Sequence, residues 1–506
     1  MSSRNPALTP LRSNASEAAV IDVGSNSVRL VVYSIDGRAL TPSLNEKVMA
    51  GLGRGVAETG RLAEAGRNAA LDALARFAVV LEAKGVKDVF AVGTAAVREA
   101  EDRADFISEI KRRTGITVRV LSGPEEARLS ALGVLAGAPE ARGVVGDLGG
   151  ASLELIELDE NGPGRGETFR LGPLSLMRAT TNFNYPEVAK KADDALAASG
   201  IATKRGGDFY AVGGAWRALG RIDIAIRNHP IGVLHHHEMT RDEVLTVTEF
   251  VRRQSKKSLE LMEEAAARRA ETLPYAAAVL ERVVQAGKFD RVILSALGLR
   301  EGVLLERMTP EILRTDPLVA SAEALAGSAQ RSRQFGRALA AWIEPAFANV
   351  TPSFSAQRDA VLRRTAARLA DLGGLLHPDQ RVEILFDLVL RAPLVGLSHS
   401  ERAYLAAATH HRYARAQPKR ADAYVRLLGE DQRKGAAALG AMLRLGADLS
   451  GRSEGLLART SLSVAEGVLR VSVEQRFEAI VTDQVRRRLD AAASALDLKS
   501  DVVVRR

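Results

Sequence analysis

The chain has 506 residues, of which 46% are hydrophobic, 4% aromatic and 26% charged, with a net charge of +8 and no cysteine. Its length corresponds to roughly three globular domains with ample apolar surface to bury. Disulfides, thiolate metal sites and a cysteine nucleophile are excluded, and no run approaches the 18 or so apolar residues of a membrane helix. With Trp only at 216 and 342, base stacking is poorly supplied, so nucleic acid is not an expected partner.

Residues 1–17 are rich in Ser, Asn and Pro and lack the apolar core of a signal peptide, so they read as a disordered tail on a cytoplasmic protein with no membrane association. Val20-Ile21-Asp22-Val23-Gly24-Ser25-Asn26-Ser27-Val28-Arg29 then reads as strand, acid, small-residue turn and strand. Gly51-Leu52-Gly53-Arg54-Gly55 reads as a turn that matches neither a dinucleotide fingerprint nor a phosphate-binding P-loop. Leu71, Leu74, Ala78 and Leu81 recur at helical spacing within 62–84, and Gly85 supplies the stop. Val89 to Arg98 reads as a strand and small-residue turn, with a helix beginning near Arg98.

After the short strand Val118–Leu121, Ser122, Pro124 and Glu125 form a capping-box start to a helix. The cap accounts for Glu125 but not for Glu126, which is the candidate general base. The next strand ends in Asp147-Leu148-Gly149-Gly150-Ala151-Ser152-Leu153-Glu154, a second acid-and-glycine turn 125 positions (147 minus 22) after Asp22. Paired glycines let successive N–H groups point into one concavity that suits phosphate, and a carboxylate beside it suits magnesium. Two matched copies one domain length apart predict related halves facing each other across a cleft. Arg29 and Arg98, beside the turns, are candidates for bidentate phosphate contacts.

Phe209 to Arg217 and Arg291 to Gly302 repeat the strand-turn-helix plan of α/β architecture. From about 309 to 460 Ala- and Leu-rich helices dominate, and Val464–Val473 with Val502–Val504 predict a small closing strand-helix-strand unit. Residues 401–506 carry 19 Lys+Arg against 13 Asp+Glu, which suits a polyanionic partner. His235-His236-His237 and His410-His411 are poor metal sites, because adjacent residues project differently.

Together, Ile21 to Arg29, Gly93-Thr94-Ala95-Ala96-Val97-Arg98, Ser122 to Leu129, Asp147 to Glu154 and Gly298-Leu299-Arg300-Glu301-Gly302 resemble the exopolyphosphatase / guanosine pentaphosphate phosphohydrolase (Ppx/GppA) family. The resemblance implies two actin-like (ASKHA, ribonuclease H-like) α/β domains, over 18–135 and 136–308, with the active site between them. A mainly helical, HD-like region with a small basic α/β subdomain follows over 309–506, with Ala370-Asp371 where a metal-binding His-Asp pair would stand.

It further implies that Glu126 is the catalytic base, that Asp147, itself also a catalytic residue, and Glu154 hold Mg2+ together with Asp22, which lines the same cleft, and that the two turns with Arg29 and Arg98 hold successive phosphates. The turn residues concerned are Gly24, Ser25, Asn26, Ser27, Gly149, Gly150, Ala151 and Ser152; Ala151 stands where a third glycine is usual. The implied activity is magnesium-dependent hydrolysis of terminal phosphate from inorganic polyphosphate. Guanosine pentaphosphate hydrolysis is the alternative, an ATPase or kinase of the same fold or an idle polyanion-binding protein lie behind it, and a homodimer is expected because long members pair.

Overall fold

The structure, a computed structural model, describes residues 17–177, 182–203, 205–260, 267, 269–327, 330–419 and 422–506. The tail expected over 1–17 lies outside these residues except for Glu17, which opens the first strand. The chain divides into two compact units, one ending at Arg314 and one running from Thr315 to Arg506. Among the described residues no helix is long and apolar enough to cross a membrane.

In the first unit, β1 (Glu17–Val23), β2 (Val28–Asp36), β3 (Ala39–Val48), β4 (Asp88–Gly93) and β5 (Val118–Val120) form a five-stranded sheet in the order β3-β2-β1-β4-β5. The β1–β2–β3 meander is antiparallel, whereas β4 and β5 join in parallel. A second sheet holds β6 (Gly143–Leu148), β7 (Leu153–Asp159), β8 (Gly162–Phe169), β9 (Asp208–Val212), β10 (Glu238–Thr240) and β11 (Arg291–Leu294), ordered β10-β11-β9-β6-β7-β8. Its β8-β7-β6 meander extended by parallel β9 and β11 repeats the first sheet, and β10 is an added antiparallel edge. The two lobes are the expected actin-like pair.

Strand periodicity decides where the acids point. Ala19, Ile21 and Val23 pack with Leu71, Leu74 and Phe77 of helix Glu64–Lys84 and with Phe106 of helix Arg103–Thr114. Ala18 and Val20 face the other way, among Leu129 and Val303. Both faces are buried, so the strand reads as a continuous apolar run. With a side-chain period of two, Asp22 is the next residue of the Ala18–Val20 face. In the second sheet Val145 shares a core with Ala131 and Val134, which puts Asp147 on that same inner face.

Helix Gly123–Gly137 therefore lies between the lobes, with Leu129 and Ala136 in one core and Ala127, Ala131 and Val134 in the other. A helix that is apolar around most of its circumference is stable only when enclosed in this way. Helix Leu299–Leu305 crosses it at backbone contact. A Cβ on Gly302 would lie 1.8 Å from the Leu129 carbonyl oxygen, and one on Gly133 would lie 1.9 Å from that of Gly298.

Helix Glu64–Lys84 ends at Gly85 in the left-handed region, as its sequence predicts. The helix expected to begin near Arg98 instead starts at Ala95 and ends at Glu99. Extended Thr94 precedes it and its carbonyl accepts the Arg98 N–H at 2.9 Å, so the small residues read as a turn are the first helical turn.

The second unit is helical from Pro317–Leu325 through Glu430–Ser450 and closes with β12 (Thr460–Ala465), β13 (Val468–Glu474), helix Asp483–Ser494 and β14 (Lys499–Arg505). β13 and β14 are parallel across that helix, and antiparallel β12 completes a three-stranded sheet.

Gly302→Ala forces the two helices apart, and overpacking of this kind costs about 1–3 kcal/mol. Gly232→Ala, whose methyl meets nothing within 4 Å, should shift the denaturant midpoint little. Equal midpoints for the two variants would contradict the close crossing.

Candidate active site

The β1–β2 and β6–β7 hairpins meet at their turns, and their geometry matches. Gly24 N–H donates to the Ser27 carbonyl at 3.1 Å, and Gly149 N–H donates to that of Ser152 at 2.9 Å. The turns touch: a Cβ on Gly150 would lie 3.1 Å from Ser25 Cβ and 3.4 Å from Asn26 N. The loop read only as a turn, Gly51 to Gly55, buttresses the first hairpin through Gly51 N–H to Asn26 O and Gly53 N–H to Ser25 O, at 3.1 and 2.7 Å. A Cβ on Gly53 would come within 2.8 Å of Ser25 Cβ, so the loop needs glycine there. Ala151 stays outside the left-handed region, which accommodates its methyl group where a third glycine is usual in the resembled family.

Between the hairpins lies a cleft of about 190 Å3 lined by Asp22, Gly24, Ser25, Asn26, Ser27, Arg29, Glu126, Asp147, Gly149, Gly150 and Ser152. Eleven of the fourteen residues singled out from sequence thus share one space. Arg98, Ala151 and Glu154 do not line it. Arg98 stands behind Glu126, donating from Nη1 to Glu126 Oε2 at 2.7 Å and to the Leu121 carbonyl at 3.0 Å. The Ala151 carbonyl accepts from Gly172 N–H and Ser175 Oγ, which ties the second turn to the chain that follows β8. Glu154 is 1% exposed, and its Oε1 has no hydrogen-bond partner.

Strand register sorts the charges. Asp22 opposes Arg29 across β1–β2, and Arg29 opposes Lys47 across β2–β3. In the second lobe Asp147 opposes Glu154, and Glu154 opposes Thr168. Equivalent rows therefore present one carboxyl and two cations in the first lobe but two carboxyls and a hydroxyl in the second. Lys47, Arg217, Arg269 and Arg300 also line the cleft and were not singled out from sequence. Arg300 reaches Asp22 at 3.4 Å, and Arg217 donates to the Ala296 carbonyl at 3.0 Å. Arg217 and Arg300 belong to strand-turn-helix units visible in the sequence, whereas Lys47 is placed only by the β2–β3 register.

The crowding shows in the acid–base equilibria. Burial pushes Glu126 up to about 7, against the opposing effect of Arg98. Burial also raises Asp147, which Ser130 counters by donating to Oδ2 at 2.5 Å, and raises Asp22 against the pull of Arg300 and Arg29. Glu154 is held well above the usual range by burial, reinforced by the charges of Glu126 and Asp147. On the cationic side, burial and then Arg269, Arg29 and Arg217 bring Lys47 down to about 8. Burial lowers Arg217 to about 10, with Arg300 and Arg29 adding to the effect. Carboxyls that resist ionisation thus stand beside Lys47 and Arg217, which burial makes weaker bases, whereas Arg300 is raised against the effect of burial by Glu301, Tyr33 and Asp22.

The histidines have structural partners. His237 Nε2 lies 2.7 Å from Asp223 Oδ2, His236 Nε2 lies 3.2 Å from the Gly137 carbonyl, and His235 Nδ1 accepts Ala296 N–H at 3.3 Å. Both ring nitrogens of His410 face backbone carbonyls, at 3.0 and 2.9 Å.

Residues 31–311, which hold this site from Lys47 to Arg300, match the Ppx/GppA phosphatase family, the Asp22–Arg29 turn standing just before the matched span, and residues 318–503 match the module described as exopolyphosphatase, C-terminal. The chain belongs to the Ppx/GppA phosphatase family. Exopolyphosphatase 1 of Mycobacterium tuberculosis is 26% identical over 304 residues, 58% of this chain and 88% of that protein. The guanosine-5'-triphosphate,3'-diphosphate pyrophosphatase of Vibrio cholerae is 27% identical over 410 residues, 76% and 78% of the two chains. An exopolyphosphatase structure from Cytophaga hutchinsonii aligns with 25% identity and a TM-score of 0.53, over 58% of this chain and 99% of its own. The Aquifex aeolicus PPX-GPPA enzyme aligns with 26% identity and a TM-score of 0.50, over 57% and 99%.

Glu126 titrates near 7 when folded and near 4.5 when free, so its contribution to stability is complete below pH 4.5 and is lost as pH rises through 7. Asp22, Asp147 and Glu154 are shifted in the same direction. A dication relieves this repulsion only once the carboxyls ionise. Mg2+ should therefore raise the melting temperature more at pH 8 than at pH 5, and equal shifts at both would argue against a cation among these groups.

Proposed function

We propose that the chain is an exopolyphosphatase that releases orthophosphate from the end of inorganic polyphosphate by direct attack of water. The observation that carries this reading is a buried carboxyl, Glu126, aligned by Arg98 and bordering a small cleft rich in glycine turns and cations. A base titrating near pH 7 is matched to taking a proton from water at neutral pH. About 190 Å3 is below the roughly 300–1,000 Å3 of pockets that enclose larger ligands, and suits a chain end of one or two phosphates.

The donor set fits a hard dication: Asp147 with one oxygen held by Ser130, Glu154 with a buried oxygen lacking a partner, and Asp22 across the cleft. Asp147 and Glu154 would hold Mg2+ or another divalent ion, which neutralises charge developing on the phosphoryl oxygens. The chain's own residues do the rest. The Gly24–Ser27 and Gly149–Ser152 turns offer backbone N–H groups to phosphate oxygens. Arg29, Lys47, Arg217 and Arg300 offset the charge that a metaphosphate-like transition state spreads over its oxygens. Glu126, its Oε2 fixed by Arg98, orients the water and accepts its proton. Soluble cytoplasmic action, a homodimer and the guiding of long chains by the basic region 401–506 belong to the same proposal.

A second reading, hydrolysis of guanosine pentaphosphate, draws on a neighbouring cavity of about 950 Å3 that shares Leu174 with the cleft. Its wall includes Phe183 and Tyr275, whose rings meet edge-on at 5.0 Å, and it is large enough for a nucleoside.

Orthophosphate release should be fastest from long polyphosphate, compared with guanosine pentaphosphate and ATP under the same conditions; preference for the pentaphosphate would install the second reading. Glu126→Gln should lower kcat by about 10²–10⁴-fold while polyphosphate still binds, and a fully active variant would overturn the mechanism. The acid limb of the kcat/KM profile, which reports the free enzyme, should fall near pH 7. Since Arg98 lowers the Glu126 pKa, Arg98→Met should move that limb to higher pH; an unmoved limb would remove Glu126 as the titrating base.

A further inference from the structure

The second unit contains a cavity of about 420 Å3 lined by Arg381, Arg412, Tyr413, Asp448, Arg452 and Thr482 among others, which the proposed reaction does not use. Two guanidinium groups share one ring: those of Arg381 and Arg412 lie 5.4 and 4.8 Å from the centre of Tyr413. Arg412 is 7% exposed, and its Nε has no hydrogen-bond partner. Its carboxylate neighbour, Asp448, is 3.9 Å away and is already bound by Arg488 at 2.9 Å. Arg381 Nε is likewise buried without a partner. Arg452 brings a third positive charge from a left-handed residue just beyond helix Glu430–Ser450.

Anionic charge around this group is scarce. Asp371, beside Ala370, has a buried Oδ1 with no partner, and burial raises its pKa against the pull of Arg452 and Arg412. The Tyr413 hydroxyl is occupied with the Ala370 carbonyl at 3.0 Å. Nearby Arg444 is held below its usual range by burial and then by the like charge of Arg488.

The remaining wall is the start of helix Asp483–Ser494, through Thr482, Gln484 and Val485. Thr482 Oγ accepts the Val485 N–H at 3.3 Å, and the N–H groups before it have no acceptor within the helix. Asp483 is not part of the lining. Guanidinium groups in excess of the carboxylates beside them, lining a cavity at a helix N-terminus, are the elements of a phosphate site.

We propose that this cavity binds phosphate, as orthophosphate or a short phosphoanhydride, gripped by Arg381, Arg412 and Arg452 at the N-terminus of helix Asp483–Ser494. The site belongs wholly to the second unit and does not depend on the reaction proposed for the first.

The full-length protein titrated calorimetrically with imidodiphosphate, which is not hydrolysed, should show two sites per chain, one in each unit. Arg381→Ala/Arg452→Ala should remove one site or weaken it by roughly tenfold or more, with the other site unchanged. Arg452 is exposed, so Arg452→Ala alone keeps the fold and should weaken the same site, while Arg452→Lys restores part of the affinity. Orthophosphate and long polyphosphate distinguish the sources. A loss shared by orthophosphate or imidodiphosphate supports the site. A loss confined to long polyphosphate would overturn it in favour of a surface track, and identical isotherms for wild type and both Arg→Ala variants would overturn it outright.

Discussion

The pair of Arg98 and Glu126 is the contact on which the chemistry proposed for the first unit depends. At 2.7 Å the guanidinium holds one carboxylate oxygen, and burial keeps that carboxyl reluctant to ionise. Removing the arginine would strengthen the burial effect; opening the site to water would weaken it. Either change takes the proposed base away from neutral pH, so the proposed chemistry requires both the partner and the enclosure. The enclosure comes from helix Gly123–Gly137, which carries Glu126 near its capped start and is clamped between two sheets by glycine contacts with helix Leu299–Leu305. The same crossing sets Arg300 against Asp22. Backbone packing at Gly133 and Gly302 thus fixes the distance between base, acids and cations.

Two similar lobes have diverged in charge rather than in shape. Arg29 and Glu154 occupy equivalent positions, each opposite an Asp in the adjoining strand. In the proposed hydrolysis that exchange would divide the labour: the cationic row of the first lobe would face substrate oxygens, and the acidic row of the second a metal ion and water. Burial drives both rows away from their ordinary charge states, and in the proposed reaction a dication bound together with a polyphosphate end would relieve both rows at once.

Much of this was legible in the amino-acid order because it is local. The Asp22 and Asp147 turns, the Ser122 cap and the Gly85 stop each lie within a few residues, and the 125-residue spacing exposed the duplication. Glu126 stood out because its neighbour Glu125 was accounted for by the cap. What escaped depends on contacts between distant segments. Lys47 reaches the cleft through the register of β3 against β2, and Arg300 through the packing of its helix. Gly53 looked like a turn residue until Ser25 was seen against it. Arg98 proved to hold the base from behind rather than line the cleft, because its helix begins three residues earlier than apolar spacing suggests. Alanines at 95 and 96 carry too little hydrophobic signal to mark that start.

The central claim is that water, activated in this cleft, attacks the terminal phosphorus of the chain. The most direct test is a single-turnover hydrolysis of polyphosphate in 18O-labelled water, with mass analysis of the products. The account predicts one solvent oxygen in each released orthophosphate and none in the shortened chain. Label left on the chain, or release of fragments several phosphates long, would contradict it.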